Sequence, residues 1–125
     1  MNNYQYDKPL RETYFLRAVA IDTDTLLASF VGPKGRKGRI VNFSYVLTVA
    51  ATVADTVLTL GPNGDASPVT LTVPFTGSAI GANDAITNAQ AYAHAELAAD
   101  TNVELVSNAG STAGDADIAV TIEWY

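Results

Sequence analysis

The sequence predicts an all-β chain: a single jelly roll or β-sandwich of about eight antiparallel strands, preceded by an extended N-terminal arm. Three observations carry this. Apolar residues alternate with polar ones from residue 40 onward. Gly, Pro, Asn and Asp cluster between the alternating runs. No strand-helix-strand alternation is present.

In chain order, residues 1–12 have no hydrophobic period and read as the arm, and residues 13–125 as the barrel. Segment 13–21 is apolar on both faces apart from Arg17, so it is covered on both sides or packs against another chain. A strand at 26–31 is followed by the glycine- and cation-rich loop 32–39 and a long strand at 38–50. There Val41, Phe43, Tyr45, Leu47 and Val49 face one way and Asn42, Ser44 and Thr48 the other, as in a half-buried strand. Strands at 56–61 and 68–75 flank Gly61–Asp65, where Asn63-Gly64 tolerates the positive φ of a tight turn. Residues 77–84 read as a small-residue loop.

Segment 84–100 has two readings. Asp84 can cap a helix bearing Ile86, Ala89, Ala93 and Leu97, but Ala89, Ala91, Ala93 and Ala95 alternate strictly with larger polar residues. The alternation favours a strand at 89–97 with one small face, and the helix stays open. Strands at 103–108 and 116–124 complete the set, separated by the loop Asn108–Asp115. In the last strand Ile118, Val120, Ile122 and Trp124 share a face.

Composition narrows the function. The chain has 125 residues, enough for one domain with its own core; 48% are hydrophobic and only 16% charged. So few surface charges imply that other subunits cover part of the surface. There is no cysteine, which excludes disulfides, thiolate metal sites and cysteine nucleophiles. No apolar run approaches the roughly 20 residues of a membrane-spanning helix, and the start lacks a signal core, so synthesis in a cytosol with no address for Sec export is expected.

Charge is segregated along the chain. All seven cations lie within the first 39 residues, which net +3, and residues 40–125 net −9. Net charge reports on partners more than on fold, so an attaching leader and an acidic barrel facing water are expected.

Residues 36–125 resemble a known family. Gly38-Arg39-Ile40-Val41, the alternation to Leu47, an Asn-Gly turn, Val69–Val73, and Ala98–Thr112 before a Val/Ile strand are similar to the small jelly-roll decoration, or cement, proteins of tailed-bacteriophage capsids. The usual Gly-Asp turn is here Ala99-Asp100-Thr101-Asn102, and the double glycine is Ala109-Gly110. The resemblance implies homotrimers on the outer surface of the virion head, bound to the major capsid protein through an N-terminal segment.

The expected capsid-binding residues are Arg11, Lys34, Arg36, Lys37 and Arg39 for charge, and Tyr4, Tyr6 and Tyr14 as aromatic anchors. Tyr14, like Phe15, has the alternative of entering the barrel core. The loop is no P-loop, because Lys37 is followed by glycine. Neither nucleic acid nor a membrane is expected as a partner, since the acidic remainder repels phosphate. The single histidine, His94, read as a surface or sheet residue, supports neither a triad nor a zinc site. Asp22 with Asp24, and Asp115 with Asp117, read as turn formers. No catalysis, metal or cofactor is expected. The competing reading is a trimeric head-fibre or receptor- or glycan-binding module acting through loops 77–88 and 107–115.

Overall fold

A computed structural model describes residues 9–23, 25–86 and 93–125. They form β1 (Leu10–Ala20), β2 (Leu26–Phe30), β3 (Gly38–Val49), β4 (Thr56–Pro62), β5 (Val69–Val73), β6 (Asn83–Ala85), β7 (Val103–Ser107) and β8 (Asp115–Trp124). Two four-stranded sheets result, in the orders β1-β8-β3-β6 and β2-β7-β4-β5, with every pairing antiparallel. This is the jelly-roll arrangement, in which the chain passes repeatedly from one sheet to the other.

The core forms where the inward faces meet. One sheet contributes Ile40, Phe43, Tyr45, Leu47, Ile118, Val120, Ile122 and Trp124. The other contributes Phe30, Leu58, Leu60, Leu71, Val73, Val103 and Leu105. β8 sits between β1 and β3, so its inward residues are covered along their whole length.

The alternation expected of β3 is interrupted at both ends. Register shifts between Ile40 and Asn42 and between Leu47 and Val49 add an extra residue to β3 at each point. Val41 and Val49 therefore leave the inward row, and Ile40 joins it. β1 begins at Leu10, opposite Trp124, so Leu10–Glu12 are strand; residues 1–8 lie outside the described set. Among the described residues β1 is covered on one side only: the Tyr14 ring packs on Phe30 with centroids 4.4 Å apart, while Phe15 is 76% exposed on the other face.

Two further expectations change. At the end of the expected loop 77–84 the fold forms β6, three exposed residues without an apolar face, which is why no period announces it. The expected strand 89–97 falls partly outside the described residues. Its described part, 93–97, forms no strand beyond a single bridge between Leu97 and Gly38.

Two glycines are dictated by Trp124. Gly32 and Gly38 lie against its indole, and a Cβ on Gly38 would fall 2.6 Å from the ring carbons. Trp124→Ala is expected to cost about 3–5 kcal/mol through the cavity it leaves. Gly38→Ala is expected to cost about 1–3 kcal/mol through overpacking. In a Trp124→Leu background most of the Gly38→Ala cost should vanish, because the two side chains compete for one space. Urea denaturation of the four variants measures this coupling.

Candidate functional site

Strand directions sort the connections between two ends of the sandwich. Leu10, Gly38 and Trp124 are in register at one end, and Ala20, Val49 and Asp115 at the other. The β2–β3 loop, the β4–β5 loop, the described part of the β6–β7 connection, the start of β1 and Tyr125 therefore share the first end. This near end holds the five cations of the expected capsid-binding set, Arg11, Lys34, Arg36, Lys37 and Arg39, whereas Tyr14 lies mid-strand in β1. Tyr4 and Tyr6 lie outside the described residues.

The cationic loop is shaped by its own backbone and by the C-terminus. Pro33–Arg36 form a turn closed by Arg36 N donating to Pro33 O at 3.1 Å, with Gly35 supplying the positive φ of 78°. Asp100 Oδ1 accepts from Gly35 N at 3.0 Å. Lys37 and Tyr125 exchange a pair of backbone hydrogen bonds of 2.9 and 2.8 Å. Gly38 and Leu97 exchange another pair, of 3.0 and 2.7 Å. The loop glycines thus serve the indole contact and the turn.

Most of the expected docking cations have partners within the fold. Glu123 faces outward on β8, in register with Arg11 on one neighbouring strand and Arg39 on the other. Its carboxylate takes Arg11 Nε at 2.8 Å and Arg39 Nη2 at 2.6 Å, and its side chain is only 8% exposed beneath them. The hydrogen bond from Arg11, then Arg39, holds Glu123 below the usual carboxylate range against the opposing effect of burial. Arg36 Nη1 reaches the Trp124 carbonyl at 3.5 Å. Lys37 Nζ lies 3.6 Å from Glu96, which also accepts from the Tyr125 hydroxyl. That hydroxyl is the main cause of the lowered Glu96 pKa. Lys34 is exposed, and among the described residues no ion pair engages it.

Tyr14 is turned inward. Its hydroxyl donates to Glu12 at 2.5 Å, and burial, then that hydrogen bond, push its pKa up to about 12. His94 is neither a surface nor a sheet residue. Its side chain is 5% exposed, with Nε2 2.7 Å from Asp65 and Nδ1 2.7 Å from the Ala95 carbonyl, so it ties the β6–β7 connection to the β4–β5 loop. The Ser67 amide, then His94, lower the Asp65 pKa.

Folding therefore redistributes the charge. The near end combines Arg11, Lys34, Arg36, Lys37 and Arg39 with Glu12, Asp65, Glu96, Asp100, Glu104 and Glu123. The far end has Arg17 against Asp22, Asp55, Asp115 and Asp117. The cationic leader and anionic barrel of the sequence become a mixed end and an acidic end.

The far end is a hydrogen-bonded crown. Thr56 Oγ1 donates to Ser111 Oγ at 2.7 Å, and Ser111 Oγ to the Ala54 carbonyl at 2.5 Å. Asn108 Oδ1 accepts from the amides of Val57 and Gly110 at 2.9 and 3.0 Å, and Asp55 Oδ1 from Phe75 N at 3.1 Å. Val53 takes a φ of 75° inside a three-residue turn closed by Ala54 N to Thr52 O at 2.9 Å. A β-branched residue is strained there, and it is 69% exposed. Asp117 accepts from Ala18 N at 2.7 Å, where β1 bulges. Among the described residues no three His, Cys, Asp or Glu side chains gather to hold a metal ion. No described helix is long and apolar enough to cross a membrane.

No protein-family model matches the chain, and no curated protein matches it in sequence.

The Glu123 clamp predicts a pH dependence. Its folded pKa is depressed, so its stabilisation is fully present above the unfolded value near ~4.3 and is lost as pH falls through the lower folded value. Glu123→Gln is expected to lower stability by about 1–2 kcal/mol at neutral pH, with the deficit shrinking below pH ~4. Denaturant titrations of both proteins across that range test it.

Proposed function

We propose that the protein is a bacteriophage capsid decoration protein, a non-catalytic cement that binds the outer surface of the head shell and stabilises it by bridging major capsid protein subunits. The observation that carries this reading is the convergence at one end of the sandwich of the cationic loop, held by the C-terminus, and the start of β1. Leu10 and Gly38 are both in register with Trp124, so the start of β1 and the loop can engage one lattice together. The acidic far end then points away from the shell. The eight-stranded jelly roll supports the same reading, since the resembling family is built on it.

The mechanism is linkage. A protein that binds the assembled shell and not its separated subunits stabilises assembly by mass action. Association of several copies on the shell multiplies each contact through effective concentration. Lys34 and Lys37, exposed on a loop already shaped, supply charge complementarity at little ordering cost. Arg11, Arg36 and Arg39 form its flank, and Tyr4 and Tyr6 are the aromatic anchors expected from the sequence.

Co-sedimentation with empty tailed-phage shells tests the proposal. Lys34→Glu combined with Lys37→Glu is expected to weaken binding by at least about tenfold, and further deletion of residues 1–8 to abolish it. Shell binding unchanged in the combined variant would overturn the reading.

One observation favours a second reading, a head-fibre or receptor-binding module. Val53, Phe75 and Ile80 project from loops cross-linked by the Asp55–Phe75 and Ser78–Ala51 hydrogen bonds, a rigid apolar tip at the far end. Under that reading Val53→Ser with Ile80→Ser abolishes host adsorption and leaves shell binding intact.

A further inference from the structure

The outward face of the β1-β8-β3-β6 sheet has no second layer over it among the described residues, and its residues fall in rows set by the register. Arg11, Glu123 and Arg39 form one row and Thr13, Thr121 and Asn42 the next. Phe15, Ala119 and Ser44 form the third. Beyond them lie Arg17, Asp117 and Val46. Along β8 this face is a trough of about 500 Å³, floored by Ala119 and Asp117 and walled by Phe15 and Arg17 on one side and Ser44 and Val46 on the other. Phe15 is a large ring 76% exposed mid-strand, beside a trough whose floor residue is alanine.

The geometry points to a second copy of this chain as the occupant of the trough, the two copies related by a two-fold axis parallel to the strands. An axis lying between β1 and β8 sets β1 of each copy over β8 of the other at the same level. Each Phe15 then fills the other copy's trough above Ala119, and each Arg17 faces the other copy's Asp117. A knob beside its own matching hole is what a self-complementary two-fold contact requires.

Charge selects the occupant. Two copies each carrying a net charge of −6 repel one another in most orientations. On this face Arg11, Arg17 and Arg39 balance Glu123, Asp117 and Asp115. It is therefore a locally neutral surface on which the copies can meet, and Arg17 and Asp117 supply complementarity across the axis. The inference is independent of the capsid reading, and it replaces the trimer implied by the resemblance with a two-fold pair.

Sedimentation equilibrium of the purified full chain over the micromolar range tests it, alongside Phe15→Ser, Val46→Ser and Ala119→Arg. Circular dichroism and thermal melts establish that each variant is folded; Phe15 and Val46 are exposed, so their truncation leaves the core intact. The wild type is expected to sediment as two chains, and Phe15→Ser and Ala119→Arg each to weaken association at least tenfold. Thr70→Arg, on the exposed side of the other sheet, should leave it unchanged. A wild type that stays monomeric, a three-chain mass, or a pair indifferent to both Phe15→Ser and Val46→Ser would overturn the inference.

Discussion

The last two residues of β8 organise the near end of this jelly roll from both sides of one sheet. Trp124 points inward and occupies the space that Gly32 and Gly38 leave open. Glu123 points outward and draws in an arginine from each neighbouring strand. Because β8 is central in its sheet, both effects act on the first strand, the third strand and the loop between the second and third. A residue of the C-terminal strand thus determines the shape of a loop some ninety positions earlier in the chain.

That arrangement changes the meaning of the charge pattern. A chain whose cations all precede residue 40 suggests a basic lobe, but antiparallel pairing lays the first and third strands along the last one and brings its acids beside them. Arg11 and Arg39 thereby help to hold the sheet together, and Lys34 and Lys37 keep the exposure that a partner contact needs. The polarity that survives runs between a mixed end and an acidic end. It is weaker than the sequence suggests, and better suited to orienting the molecule on a surface than to binding phosphate.

The sheet pattern was legible because half-buried strands write their burial into the sequence with period two; Ile118, Val120, Ile122 and Trp124 show it directly. The bulges of β3 were not, since an inserted residue reads as one more member of an apolar run until its partner strand is known. Three-residue β6 has too little sequence to carry a period. At the near end the loop and its cations were visible as a cluster. Their partners were not, because Glu123, Glu96, Asp100 and Tyr125 lie far away in the chain and no local rule links them. Tyr14 and Phe15 show the limit most clearly. They are adjacent aromatics of similar size, and only the strand's facing sends one to Phe30 and the other to solvent.

The C-terminus holds the cationic loop in place within the isolated fold. Native-state hydrogen exchange of the Lys37, Gly38, Leu97 and Tyr125 amides tests this most directly, because these four donors make the ladder that fixes the loop. Protection approaching that of the β8 core amides is expected, lost together on global unfolding. Exchange of these amides at the rate of an open loop, with β8 still protected, would contradict it.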